Sequence, residues 1–198
     1  MKTTIYTLLD DLFSVFPSVT KSTLKKFLKK ELGVSTVDNM LNKYCYVRRI
    51  SKQIVNKVPY LSIERPEGLD FASINCFDAI FAIQGQSDGE KISQEISAVR
   101  ARFPYSYAYV DSTNGFLFLN YDLNGYNKIV AHNLNADFVV EDEMRNTSQT
   151  KLVIVAADGF ANEPIENAEP KGSTIIIRLR RSQASVETTF SIVDRNYE

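Results

Sequence analysis

Val19–Ile50 reads VTKSTLKKFLKKELGVSTVDNMLNKYCYVRRI, and the spacing of its apolar residues predicts two helices joined by a glycine turn. Leu24, Phe27, Leu28 and Leu32 fall on one face, Thr20 or Ser22 can cap the start, and Gly33 suits the left-handed residue that closes a helix. Lys25, Lys26, Lys29 and Lys30 fill the outside. Beyond the glycine, Ser35 can cap a further helix with Asp38 as a short capping acid, and Val37, Met40, Leu41 and Tyr44 face inward. Upstream, Ile5, Leu8, Leu9, Leu12 and Phe16 make another helical face, ended by Pro17. Downstream, Tyr46–Ile50 and Val58–Ile63 have strand composition and flank the polar Ser51–Lys57. The expected order is three helices followed by a hairpin.

In that order, the quoted stretch resembles the winged helix-turn-helix family, over roughly the first third of the chain. The resemblance implies a helix after the glycine turn that enters the major groove of double-stranded DNA, and a hairpin wing that touches the backbone. Position by position it puts Ser35, Thr36, Asn39, Asn42 and Lys43 on the outer face of that helix, and Arg48, Arg49, Lys52 and Lys57 in or near the wing. Lys25 and Lys29 stand on the preceding helix. Asn pairs bidentately with adenine, and Ser, Thr and Lys hold phosphates. Asp38 suits the helix dipole but repels a phosphate, so the pattern favours backbone-led binding over sharp sequence reading. Protein contact, dimerisation or a scaffold role are the alternatives for the same fold.

Charge divides the chain at the same place. Residues 1–65 carry twelve Lys/Arg against five acids, a net of +7, and the remainder eleven against nineteen, a net of −8, which together give the overall −1. A basic segment attached to an acidic body suggests an arm for an anionic partner, although a lysine-rich solvated helix face produces the same count. With 44% hydrophobic and 24% charged residues the chain can bury a core. No apolar run approaches the ~20 residues of a membrane span. Asp10 and Asp11 interrupt the N-terminal apolar stretch and spoil it as a secretory leader, so a cytoplasmic protein without membrane association is expected. Cys45 and Cys76 belong to no CxxC and read as buried thiols.

Arg65-Pro66-Glu67-Gly68 marks a linker, and a second domain over residues 70–198 follows. Asp70–Gln84 reads as a buried helix with a strand at its end, and Ser87–Arg102 as an exposed helix. Tyr105–Val110 and Phe116–Tyr121 flank an Asn-Gly pair, which signals a hairpin. Tyr126–Leu134 looks helical, Phe138–Val140 and Leu152–Ala156 extended, and Gly159–Ile165 a short helix. Thr174–Arg181 and Val186–Val193 form two closing strands. The fold class is therefore α+β, a winged helix over residues 1–65 and an acidic mixed-sheet α/β domain over 70–198. The succession FDAIFAI, FPYSYAYVDSTNGFLFLNYD, NKIVAHNLN and TKLVIVAADG resembles a family of accessory proteins carried by conjugative and other mobile elements of Gram-positive bacteria. That resemblance implies a winged helix before a domain related in outline to restriction-endonuclease-like proteins, in a DNA transaction.

Catalytic motifs are weak. A nuclease of that outline needs a carboxylate on one strand and acid-x-Lys on the next to hold Mg²⁺ and orient water. Asp111 fits the first, but the matching triplet is Asn120-Tyr121-Asp122. His132 is the only histidine and has no Cys or His partner nearby, Glu141-Asp142-Glu143 lacks spaced ligands, and no P-loop, G-x-G-x-x-G or G-x-S-x-G occurs. No metal, cofactor or catalytic residue is expected. Tyr105, Tyr107 and Tyr109 alternate on a strand and read as core or as a protein-contact patch rather than a base-stacking platform. The expected function is a non-enzymatic, DNA-associated accessory or regulatory protein whose acidic domain self-associates or recruits a protein. The alternatives are a protein inhibitor of a host nucleic-acid enzyme and, last, a degenerate nuclease.

Overall fold

The computed structural model describes residues 5–32, 37–63, 68–86, 98–110, 114–143 and 149–195. Among them are five α-helices and two β-sheets, a mixed α+β architecture. They divide into two compact units, Met1–Ile96 with Arg181–Val186, and Ser97–Arg180 with Glu187–Glu198.

In the first unit, α1 (Ile5–Val15) buries Leu8, Leu9, Leu12 and Phe13. Each gains about 1.5–3 kcal/mol on leaving water. Past Pro17 the chain forms β1 (Ser18–Thr20), buried at all three positions, then α2 (Lys21–Leu32) and α3 (Asp38–Val47). The hairpin β2 (Ser51–Val55) and β3 (Val58–Ser62) completes a three-stranded antiparallel sheet of order β1-β3-β2. Leu24, Phe27 and Leu28 of α2 are buried while Lys26, Lys29 and Lys30 are exposed, as the spacing predicts.

Two expectations shift in register. Tyr46 and Val47 belong to α3, not to a strand, and the strand begins at Ser51. The helix is closed by a Schellman arrangement: Arg49 is left-handed at φ +54°, its N–H donates to the Tyr46 carbonyl at 3.3 Å, and the Ile50 N–H donates to the Cys45 carbonyl at 2.9 Å. The two-residue turn is Asn56-Lys57, with φ of +50° and +67°, the left-handed pair that matches the twist of a hairpin. Helix α3 starts from Val37 with no side-chain cap, and the expected cap Ser35 and turn residue Gly33 lie outside the described residues.

Helix α4 (Phe71–Gln86) is helical to its end, without a strand. It packs in the first unit although it follows the expected linker, whose Arg65–Glu67 lie outside the described residues. The physical cause is a helix apolar on most sides. Ile74, Cys76, Phe77, Ala79 and Ile80 are buried, and the Phe77 ring meets Phe16 at 5.4 Å and Phe27 at 6.0 Å. Ser73 Oγ donates to the Ser18 carbonyl at 2.8 Å. The unit also contains a fully buried ion pair: Arg181 Nε donates to Asp78 Oδ2 at 2.8 Å, and its Nη2 to Asn75 Oδ1 at 2.6 Å. Thr20 Oγ1 donates to the same Asp78 oxygen at 2.8 Å, so this expected cap is engaged by α4.

The second unit is a six-stranded sheet of order β4-β5-β6-β7-β8-β9, built from Ala98–Arg100, Tyr107–Val110, Asn114–Tyr121, Gln149–Ala157, Gly172–Arg181 and Val186–Arg195. The first three strands run antiparallel, while β6–β7 and β7–β8 are parallel. The hairpin expected around Asn114-Gly115 forms, with those residues in β6. Ala98–Arg100 is a strand where a helix was expected, and residues 87–97 of that stretch lie outside the described residues. Helix α5 (Gly125–Glu143) makes the crossover from β6 to β7, and its backbone stays helical through Phe138–Val140, which the composition had marked as extended. Strand β7 has parallel neighbours on both sides, as its continuous apolar run suggests. On one face Leu117, Leu119, Leu152, Ile154 and Ile176 pack against Ile129 of α5 and Ile165. Among the described residues, no helix is long and apolar enough to cross a membrane.

Candidate nucleic-acid interface

Helix α3 buries Leu41, Tyr44 and Cys45 and turns Asn39, Asn42, Lys43 and Tyr46 outward, at positions that share one side of a helix. Ser35 and Thr36, expected on the same face, lie outside the described residues. The hairpin is tied to this helix: Lys52 Nζ on β2 donates to Asn42 Oδ1 at 3.0 Å. Lys57 is exposed at the hairpin tip. Arg48 and Arg49 are exposed at the helix end, before the hairpin begins.

Two of these cations have carboxylate partners. Lys25 Nζ lies 2.7 Å from Asp38 Oδ2. This hydrogen bond outweighs desolvation, and with the charges of Lys25, Lys21 and Lys29 it holds the Asp38 carboxyl below its ordinary range. The acid that the sequence marks as repelling a phosphate is thus offset by a neighbouring lysine. The Arg48 guanidinium pairs with Asp10 of α1, whose other oxygen accepts the Tyr44 hydroxyl at 2.8 Å. Burial, followed by that carboxylate, pushes the Tyr44 phenol well above its usual value. Lys29 remains exposed on the outer face of α2.

The sequence-based candidate list omits Tyr46, which is 86% exposed, and Ile54, which is 76% exposed on β2. Tyr46 was legible through its seven-residue spacing from Asn39, once α3 is allowed to continue past Tyr44.

In the second unit the residues considered for chemistry have structural duties. The Asp122 carboxylate accepts the Asn124 N–H at 2.9 Å and Lys128 Nζ at 2.6 Å, an arrangement that anchors the start of α5, while Asp111 lies outside the described residues. His132 is buried. Its Nε2 donates to the Lys171 carbonyl at 3.2 Å, which leaves Nδ1 to accept the Tyr105 hydroxyl at 2.8 Å. Burial lowers its pKa. Tyr105, Tyr107 and Tyr109 are all buried, so they form neither a stacking platform nor a contact patch. Cys45 and Cys76 are buried free thiols. Among the described residues no group of three His, Cys, Asp or Glu side chains is placed to hold a metal ion.

Comparison with protein-family models, with curated proteins and with solved structures finds no match to this chain.

Proposed function

We propose that this chain is a non-catalytic protein that binds duplex DNA through its first unit, in which α1 to β3 form a winged helix and α3 is the helix offered to the groove. The observation that carries the reading is the element order α1-β1-α2-α3-β2-β3 with sheet order β1-β3-β2. The polar outer side of α3, with Asn39, Asn42 and Lys43, and the cationic hairpin tip at Lys57 support it. Lys25, Arg48 and Lys52 are engaged within the protein, so the exposed Lys43 and Lys57 carry the phosphate contacts, and sequence selectivity is modest. An accessory or regulatory role in a DNA transaction of a mobile element accords with the resemblance of the acidic segment. The test uses the whole chain, because α4 and Arg181 complete the first unit. Anisotropy titrations with a labelled duplex across a salt series should show affinity falling steeply with salt. Lys43→Ala and Lys57→Ala should each reduce the log–log slope by about 1. Absence of duplex binding at low salt overturns the reading.

A second reading, protein contact, is favoured by the exposed Tyr46 and Ile54 and by Val99 and Ile192, which are exposed on β4 and β9, the edge strands of the larger sheet. It predicts a concentration-dependent mass in sedimentation that Tyr46→Asp or Ile192→Lys abolishes. A monomer at all concentrations removes self-association from this reading. An inhibitor of a host nucleic-acid enzyme would have to act through surface other than Tyr105, Tyr107 and Tyr109, which are buried.

A further inference from the structure

A cavity of about 490 Å³ lies in the first unit, walled by Lys21, Ser22, Lys25, Lys26 and Lys29 of α2, Pro59 of β3, and Gln183-Ala184. Its volume falls within the range of small-molecule sites. Among the described residues, its eight lining positions hold four lysines and no acid, and Asp38 hydrogen-bonds Lys25. Ser22 Oγ is shielded from bulk water and has no hydrogen-bond partner among the described residues. A shielded hydroxyl without a partner is uncommon, because leaving it unsatisfied costs about 1–3 kcal/mol. A ligand oxygen in the cavity would satisfy it.

The far wall is held firmly. Gln183 and Ala184 sit on the turn between β8 and β9, where the Ser182 N–H donates to the Ser185 carbonyl at 2.9 Å. Arg181, immediately before the turn, is fixed by its buried bonds to Asp78 and Asn75. Pro59, Ala184 and the lysine stems provide apolar surface beside the ammonium groups, and Gln183 adds an amide.

We propose that this cavity binds a small polyphosphorylated molecule of the nucleoside di- or triphosphate class, its phosphates among Lys21, Lys26, Lys29 and Ser22 and its organic part against Pro59 and Ala184. Several cations gathered in one recess match a chain of phosphates better than a single one. The apolar wall and the volume suit an attached nucleoside. Lys25 and Lys29 of this site are also candidates for the DNA backbone, and phosphate chemistry is common to both ligands, so the experiment separates free nucleotide from DNA backbone.

The intact chain is titrated calorimetrically with ATP, AMP and inorganic pyrophosphate, and in parallel with a short duplex. ATP and pyrophosphate should bind saturably, AMP at least ten-fold more weakly than ATP. Lys26→Ala/Lys29→Ala should weaken ATP at least ten-fold. Lys43→Ala/Lys57→Ala, at positions that do not line the cavity, should leave ATP binding unchanged. Matching thermal unfolding of both variants confirms that they fold. No saturable ATP or pyrophosphate binding overturns the proposal, as does equal weakening of ATP by both double variants. Duplex binding that Lys26→Ala/Lys29→Ala reduces, in a chain that ignores ATP, assigns these lysines to the DNA backbone and likewise overturns it. Failure of duplex binding alone leaves the nucleotide site standing and removes only the DNA reading.

Discussion

Arg49 occupies a left-handed conformation at φ +54°, where a side chain costs roughly 1–2 kcal/mol relative to the ordinary helical region. Glycine removes that cost and keeps the Schellman hydrogen bonds. Arg49→Gly should therefore raise unfolding stability by about 1 kcal/mol in a denaturant melt while weakening duplex binding, since an exposed cation is lost. A gain in stability with unchanged affinity separates Arg49 from the interface. His132 makes a different residue-scale prediction. Its folded pKa lies below the unfolded value, so both states are neutral above about pH 6.5 and its contribution is then fully present. Below that pH the unfolded chain takes up a proton that the buried, Tyr105-bonded imidazole resists, and stability falls until the lowered folded pKa is passed. Denaturant midpoints from pH 7.5 to 5 should decline in the native chain and flatten in His132→Gln. An equally steep decline in the variant assigns the effect to other groups.

At the scale of elements, the start of α5 depends on a close approach. A Cβ built on Gly125 would fall 2.5 Å from the Tyr121 ring, and the ring itself meets Phe160 at 6.4 Å between centroids. Gly125→Ala should cost about 1–3 kcal/mol through overpacking, despite the better helix propensity of alanine, and circular dichroism melts check this. The elements legible in the sequence are those whose burial has a period: α1, α2, the β5–β6 hairpin, and β7 with its unbroken apolar run. Strand β1 left no signal because three buried residues have no alternation to read. Tyr46 and Val47 have strand composition, but α3 continues to a backbone-defined stop, and local propensity yields to that geometry. Phe138–Val140 is the same case within α5. For the candidate interface, Lys29, Asn39, Asn42, Lys43 and Lys57 were legible as exposed polar positions. The pairing of Lys25, Arg48 and Lys52 was not, since it needs acids and amides from other elements.

At the scale of the whole molecule, the chain leaves the first unit after Ile96 and returns to it with Arg181–Val186. A charge shift and a Pro-Gly break mark Arg65–Gly68 as a boundary, yet no local pattern tells that Asp78 awaits an arginine 103 residues away. Removing one partner of a buried ion pair leaves an uncompensated charge, at a cost of about 3–5 kcal/mol. Arg181→Met should destabilise the protein by that amount, and Asp78→Leu/Arg181→Met should recover much of it, as a double-mutant cycle by chemical denaturation would show. Simple additivity of the two single losses would mean that the pair does not couple.

That separation along the chain also sets an order of events during synthesis. Helices α1 to α4 leave the ribosome with Asp78 lacking its cation, and Arg181 follows only after 103 further residues, roughly 5–20 s at ordinary elongation rates. The lysine-lined recess gains its Gln183-Ala184 wall at that same late moment. A nascent chain that has not yet passed Ala184 therefore carries the basic helices without the completed recess.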